Sequence, residues 1–216
     1  MDGSKVAQTW IFRGLCDLYF AFVCNDAFGW TFEDYERFAE ISGLEKFLKA
    51  LLLFHRHHEY GSLGEAQARE MLNKMAKNLG HDFDAMLQNA ATHGANVART
   101  LTMEFDGYKG SDLVKALKAG YMETRYPVPK PISDAFPIPG APGFAHDPLS
   151  SSGFTKFIYA LCNECIFALS AHVAFSDVIK QLGALYAARE SFQRFNNLFW
   201  EHRCKALLAQ VVGRLP

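Results

Sequence analysis

The distribution of proline constrains this chain more than any other feature of its sequence. Seven of the eight prolines lie between residues 126 and 153, and the eighth is Pro216. Proline fixes φ and has no backbone N–H, so it interrupts an α-helix wherever it occurs inside one. The segments on either side of 126–153 can therefore form long helices, and 126–153 itself is predicted to be an extended connector.

Apolar side chains recur at helical spacing on both sides of this connector, and no segment shows the alternation that is typical of a strand. The pattern predicts helices over residues 6–24, from about 31 to 41 with a break at Ser42-Gly43, from 44 to about 58, over 65–79, from 83 to about 105, over 111–120, from 154 to about 174, from 177 to about 199, and in a last segment to 212.

These segments predict an all-α fold in which a proline-rich connector joins two helical lobes and a helical arm comes first. The predicted divisions are an N-terminal helical arm over 1–25, an N-terminal lobe over 26–125, the connector over 126–153 and a C-terminal lobe over 154–216. The arm has a wide apolar face, formed by Trp10, Ile11, Leu15, Leu18, Tyr19 and Phe22.

Charge, cysteine content and the N-terminal segment indicate a soluble cytoplasmic protein without a membrane span. The chain has 22 basic and 23 acidic residues. Its apolar start is interrupted by Gln8, Arg13 and Asp17, which excludes a signal peptide or a membrane helix there. The five cysteines are odd in number and most lie in apolar stretches, which favours buried reduced thiols over disulfides.

The usual catalytic and metal motifs are missing or incomplete. The sequence has no GxSxG nucleophile elbow and no GxGxxG or GxxxxGK phosphate loop. Cys162 and Cys165 form a CxxC pair that could bind zinc with His202 and Cys204, but the pair lies in an apolar helix without a second CxxC. We therefore predict a protein that is not an enzyme and needs no cofactor.

A group of histidines occurs near residue 57. His55, His57 and His58 adjoin Glu59, and His55 and Glu59 are one helical turn apart, so they could share a metal ion. The remaining histidines have no HxxxH or ExxH spacing, so a polar helix end is the favoured interpretation.

Basic residues recur on successive helices of the predicted N-terminal lobe, and they are the main candidates for binding. If the helices pack with these residues converging, the residues line a groove that holds a phosphate backbone without reading its sequence. Phe32 is a candidate for stacking on a base. The alternative is that the basic residues form ordinary solvated helix faces. The candidates are Lys46, Lys49, Arg56, Lys74, Lys77 and Arg99.

Several short segments, in order along the chain, are similar to the nucleoproteins of phleboviruses and tenuiviruses. They are Trp30-Thr-Phe32-Glu-Asp34 at a helix start, Leu44-Glu-Lys46 through Leu51 to Arg56, the alanine-rich segment from Ala90 to Ala98-Arg99-Thr100, Tyr126-Pro127 at the start of the connector, and Phe192 to Leu208 with Asn196-Asn197 and Glu201-His202-Arg203. The family has an Arg/Lys-rich stretch after the first arginine, where this chain has His57-His58-Glu59-Tyr60-Gly61.

The resemblance implies a sequence-independent, single-stranded RNA-binding protein that self-assembles through its N-terminal arm to encapsidate a viral genome. It implies phosphate contacts at Arg56 and Arg99 and base stacking at Phe32. Its partners would be RNA, further copies of itself and a viral polymerase, in the cytoplasm and the virion. Two alternatives stay open from the residues: a non-catalytic structural subunit of a larger complex, and a helical protein that binds an apolar or tetrapyrrole ligand through a histidine such as His93.

Overall fold

The structure of the protein is a computed structural model that describes residues 2–28, 33–78, 82–125, 152–173, 177–178, 180–181 and 190–200. Almost all of these residues are helical, which confirms the predicted all-α fold. The helices are α1 (Gly3–Phe28), α2 (Glu33–His55), α3 (Glu65–Asn78), α4 (Phe83–Thr92), α5 (Val97–Thr102), α6 (Gly110–Arg125), α7 (Ser152–Leu169) and α8 (Glu190–Phe199), with a short 3-10 helix at His57–Glu59.

Helices α1 and α2 form a long antiparallel pair, and this pair is the framework of the fold. A Cβ on Gly3, at the start of α1, would lie 2.8 Å from the Cβ of His57, just beyond the end of α2. At the other end of the pair, Asn25 Nδ2 donates to Glu36 Oε1 at 2.9 Å. The two helices are therefore in contact along nearly their whole length.

The predicted break at Ser42-Gly43 is wrong, because α2 continues through it. Gly43 lies where α1 crosses closely, opposite Gly14. A Cβ on Gly43 would lie 2.8 Å from the Leu18 side chain and 3.1 Å from the carbonyl oxygen of Gly14. Glycine at this position therefore brings two helices together and does not end one, and the tertiary contact outweighs its low helix propensity.

Replacing Gly43 with alanine is expected to lower the free energy of unfolding by about 1–3 kcal/mol, because the new methyl group overpacks the crossing. Urea unfolding followed by circular dichroism measures the change. Gly64→Ala is the control, since its Cβ would meet only Gln67 Oε1 at 3.6 Å, an ordinary contact. Equal stability of the Gly43 variant and the wild type would contradict the close crossing.

The expected single helix from Phe83 to Phe105 is also wrong. Helix α4 ends at Thr92, and Gly94 follows with φ +93°, a left-handed conformation that stops a helix. Asn96 then caps α5, because its side chain accepts a hydrogen bond from the backbone N–H of Arg99 at 3.1 Å. The alanine-rich segment is therefore two helices with a turn between them.

A small strand pair follows α5, where no strand was predicted. Strands β1 (Glu104–Phe105) and β2 (Tyr108–Lys109) pair antiparallel across Asp106 and Gly107. Both turn residues have positive φ, 50° for Asp106 and 89° for Gly107. Asp-Gly is a strong two-residue hairpin signal, but strands of two residues are too short to show an alternating pattern.

Helix α1 packs in the chain's own core in this structure, and its exchange with a neighbouring protomer stays a prediction. Four residues of its apolar face are buried at 4% exposure or less, namely Ile11, Leu15, Leu18 and Tyr19, and the other two, Trp10 and Phe22, are half-buried. The face that was expected to cover a neighbouring protomer is occupied by α2 and α8 of the same chain.

One hydrophobic core joins helices from before and after the connector. Its buried members include Ile11 of α1, Phe47 of α2, Phe157 of α7 and Phe199 of α8. A second, smaller cluster attaches α3 to the end of α2. Only the last two residues of the predicted connector are described, as the start of α7, so the division into two lobes stays a prediction.

Helix α7 is the most apolar of the described helices, and it is buried along most of its length. Cys162 and Cys165 are free thiols inside it. Burial raises the pKa of Cys162 well above its usual range and that of Cys165 to about 12. His202 and Cys204, the other proposed zinc ligands, lie outside the described residues. No helix in the described part combines the length and hydropathy that crossing a membrane requires.

Candidate nucleic-acid interface

The two lysines predicted on the middle of α2 are both held in ion pairs. Lys46 pairs with Asp17 of α1, whose carboxylate also accepts a hydrogen bond from Ser42 at 2.8 Å. Lys49 is 5% exposed and pairs with Glu45. Both ammonium groups are therefore paired with carboxylates, Lys46 across to α1 and Lys49 within α2, and a contact of either lysine with RNA stays a prediction.

The predicted lysines of α3 are on the surface. Lys74 pairs with Glu70 at 2.7 Å, and both side chains are more than two-thirds exposed. The Glu70 carboxyl has a lowered pKa, chiefly because Lys74 donates a hydrogen bond to it. Lys77 is exposed as well. Surface pairs of this kind are weak and exchange readily with a phosphate, so both lysines remain candidates.

The two arginines that the resemblance singled out are exposed. Arg56 follows α2, and its Nε donates to Glu59 Oε1 at 2.8 Å, with 45% of the arginine side chain accessible. Arg99 lies on the outer face of α5. Phe32, the predicted stacking ring, lies outside the described residues.

These placements do not produce the single cationic groove that the sequence suggested. Four of the six predicted cations are paired with carboxylates, and one of these is buried. Exposed cations on other helices are paired in the same way, for example Lys118 with Asp84 at 2.5 Å. The described surface is therefore close to neutral around most of the predicted site.

A different group of residues comes together beside Arg56, and we call it the histidine cluster. It consists of His55, His57, His93, His172 and Phe54. The His55 and His93 rings stack with centroids 4.2 Å apart and planes at 6°. The Phe54 ring stacks on His172 at 5.6 Å and on His57 at 6.0 Å. The centroids of His55 and His172 are 6.4 Å apart.

Three helix ends build this cluster. Helix α2 ends at His55, His93 is the C-cap of α4, and His172 lies in the turn after α7 with its backbone N–H bonded to Leu169 O at 2.9 Å. The carboxyl ends of helices carry partial negative charge, which favours cations near them. The three helix ends therefore favour a positive charge at the cluster, on an imidazolium or on an arginine.

The imidazoles of the stacked pair are held toward their neutral form. The pKa of His55 is lowered, first by burial and then by His93, His172 and His57. Burial also lowers the pKa of His93, and the Arg56 charge lowers it further. His55 Nε2 is buried and has no hydrogen-bond partner among the described residues.

Chemically, the cluster offers flat rings and hydrogen-bond donors beside a guanidinium. His57 and His172 are exposed, while His55, His93 and Phe54 are half-buried. Aromatic and imidazole rings stack on nucleobases, and an arginine binds phosphate. Among the described residues no group of three or more acidic, histidine or cysteine side chains has the arrangement of a metal site.

Sequence reasoning found only part of this cluster. It named His55, His57 and His58 because they lie close together in the chain, and paired His55 with Glu59, which instead binds Arg56. It set aside His172, and kept His93 only for the alternative of a ligand-binding protein, because neither has metal-ligand spacing. The signal that connects them is that each follows or ends an apolar helix, and helix ends meet only once the fold is known.

Comparison of the chain with protein-family models, with curated proteins and with solved structures gives no match. The likeness to phlebovirus and tenuivirus nucleoproteins therefore stays a prediction from the residues.

Proposed function

We propose that this protein binds single-stranded RNA without regard to its sequence, assembles with further copies of itself, and so encapsidates a viral genome. The observation that carries the proposal is the histidine cluster with Arg56 at its edge. It combines stacking surfaces with a cation, which is the pairing that sequence-tolerant binding of single strands requires.

Two separate reasons make Arg56 a candidate phosphate contact. The resemblance assigns a phosphate contact to this position, and the structure has its side chain exposed. Its partner Glu59 holds it by a surface ion pair, which contributes only about 0–1 kcal/mol and is easily replaced by a phosphate. Arg99, exposed on the helix that begins four residues after His93, is the second phosphate contact that we propose.

Replacing Arg56 with alanine is expected to weaken single-stranded RNA binding about tenfold at low salt, because one charge-assisted contact is lost. The slope of log affinity against log salt concentration should fall by about 0.7, the share of one phosphate in a single strand. Fluorescence anisotropy with labelled oligouridylate and a mixed-sequence RNA of the same length measures both quantities.

Arg69→Ala is the matched control for this experiment. Arg69 is also an exposed arginine paired with a nearby glutamate, with Nη2 to Glu65 Oε1 at 2.7 Å, but it lies on α3. The affinity of the Arg69→Ala protein for RNA should stay within about twofold of that of the wild type. Wild-type protein that has no affinity for single-stranded RNA at low salt would refute the proposed function.

A second candidate function, a non-catalytic structural subunit, is favoured by a patch of exposed aromatic side chains. Tyr35 and Phe38 are 65% and 40% exposed and lie one turn apart on α2. Phe20, on the neighbouring helix α1, is 55% exposed. It follows Asp17 by three residues, and Asp17 accepts a hydrogen bond from Ser42, one turn beyond Phe38 on α2. Such a patch is typical of protein–protein contacts.

The two candidates differ in what accompanies the purified protein. An RNA-binding nucleoprotein should copurify with nucleic acid, seen as a high 260/280 nm absorbance ratio that nuclease treatment lowers. A structural subunit should elute with the ratio of free protein. Size-exclusion chromatography before and after nuclease therefore separates them.

A further inference from the structure

We propose that RNA binding at the histidine cluster is coupled to uptake of a proton by the stacked pair His55 and His93, so that acidification strengthens binding. This inference rests on the proposed function, and it adds a regulation that the resemblance does not supply. It follows from the geometry of the pair and from the charges that surround it.

The stacked pair can hold one added proton but not easily two. With ring centroids 4.2 Å apart, two imidazolium ions would repel each other strongly. Such a pair titrates as a coupled unit, in which the first proton is shared between two sites. A single positive charge would therefore appear beside Arg56, at the surface that we propose for phosphate.

The groups around the pair determine when that proton binds. Arg56, His57 and Glu59 follow the end of α2. His172 lies in the turn after α7. Glu164 belongs to α7, and its carboxylate accepts a hydrogen bond from the backbone N–H of Asn96 at 3.1 Å. Glu59 is engaged by Arg56 and Glu164 by the α5 cap region.

In the free protein the pair is therefore neutral near pH 7. Burial lowers the pKa of both imidazoles, and the positive charge of Arg56 lowers that of His93 further. A bound phosphate would change this balance, since it offsets the charge of Arg56 and stabilises an imidazolium. By linkage, a ligand that raises these pKa values binds more tightly as the pH falls.

The size of the effect follows from the number of protons taken up. Each proton bound together with RNA changes the affinity by about tenfold per pH unit, over the range in which the free pair is neutral and the bound pair is charged. We expect the affinity for oligouridylate to rise by at least about tenfold between about pH 7.5 and about pH 5.5. Uracil does not titrate in this range, so the change reports the protein.

The test is an RNA-binding titration across this pH range at constant ionic strength, with the full chain. His93→Gln, which keeps a planar polar side chain, should lose most of the pH dependence, measured as the ratio of its own affinities at about pH 5.5 and about pH 7.5 whatever its affinity at neutral pH. His58→Gln is the matched control, since His58 is exposed and adjacent in the chain but outside the stacked pair. It should retain the pH dependence of the wild type.

Isothermal titration calorimetry of the wild-type protein provides a measurement that needs no variant. Binding enthalpies in buffers of different ionisation enthalpy report the protons taken up, and we expect about one near pH 6.5. RNA binding without proton uptake, or with the same pH slope in wild type and His93→Gln, would overturn this inference and leave the proposed function standing. Absence of RNA binding at every pH would refute both.

Discussion

Replacing Arg37 with alanine is expected to lower the free energy of unfolding by about 3–5 kcal/mol, because it removes one partner of a buried ion pair. Arg37 and Glu40 lie one turn apart on α2 and are 5% and 1% exposed. Arg37 Nη1 donates to Glu40 Oε2 at 2.5 Å and to Thr155 Oγ1 of α7 at 3.0 Å. Without the guanidinium, the Glu40 carboxylate loses this counter-charge inside the core.

The surroundings of Arg37 make the loss hard to compensate. Glu36 adds a second buried carboxylate 3.3 Å from the guanidinium. The Tyr159 hydroxyl is buried without a hydrogen-bond partner among the described residues, and its pKa is raised well above the usual range, first by burial and then by Glu40. Arg37 also lies 5.6 Å over the Phe154 ring. Removing it therefore disturbs the junction of α2 with α7.

Urea unfolding of Arg37→Ala measures this change, with Arg69→Ala as the control. The Arg69 pair is 71% and 74% exposed, so its loss should change stability by less than about 1 kcal/mol. The triple variant Glu36→Gln, Arg37→Met, Glu40→Leu should recover much of the loss, since it removes all three buried charges. A loss below about 1 kcal/mol for Arg37→Ala would contradict the buried position of the pair.

Helical periodicity predicted the fold class, but it could not decide what each glycine does. Ser42-Gly43 and His93-Gly94 occur in similar helical surroundings, and only the second ends a helix. At Gly94 the backbone turns to φ +93°, whereas at Gly43 the missing side chain admits α1. The difference depends on a residue that is distant in sequence, Gly14, and no local pattern reveals it.

The ion-pair partners of Lys46 and Lys49 could not be predicted from the sequence for a related reason. Lys46 and Lys49 have the spacing of a polar helix face, and a polar face is ordinarily solvated. Because α1 and α2 pack side by side, Asp17 reaches Lys46 from α1, and Lys49 is buried with Glu45. Arg56 is paired as well, with Glu59, but its side chain stays exposed because it lies beyond the end of α2, near the histidines of two other helix ends.

Replacing Phe195 with alanine is expected to lower the free energy of unfolding by about 3–5 kcal/mol, as truncation of a fully buried ring generally does. Phe195 of α8 is 0% exposed. Its ring centroid lies 5.5 Å from that of Tyr19, 5.8 Å from that of Phe22 and 6.0 Å from that of Tyr159. The variant therefore leaves a cavity where α1, α7 and α8 meet.

This variant also tests whether α1 belongs to its own chain in solution. If α1 packs within the chain, the unfolding midpoints of wild type and Phe195→Ala are independent of protein concentration. If α1 is exchanged between protomers, as the predicted arm would be, both midpoints rise with concentration because unfolding is then linked to dissociation.

Phe20→Ala is the control, since this phenylalanine lies on α1, one of the helices that Phe195 packs between, but is 55% exposed. Its truncation should change stability by about 0.5 kcal/mol or less. Thermal unfolding at several protein concentrations, with the three proteins side by side, supplies both readouts. A Phe195 variant as stable as Phe20→Ala would show that α8 does not cover α1, and that the apolar face of α1 is available to another protomer.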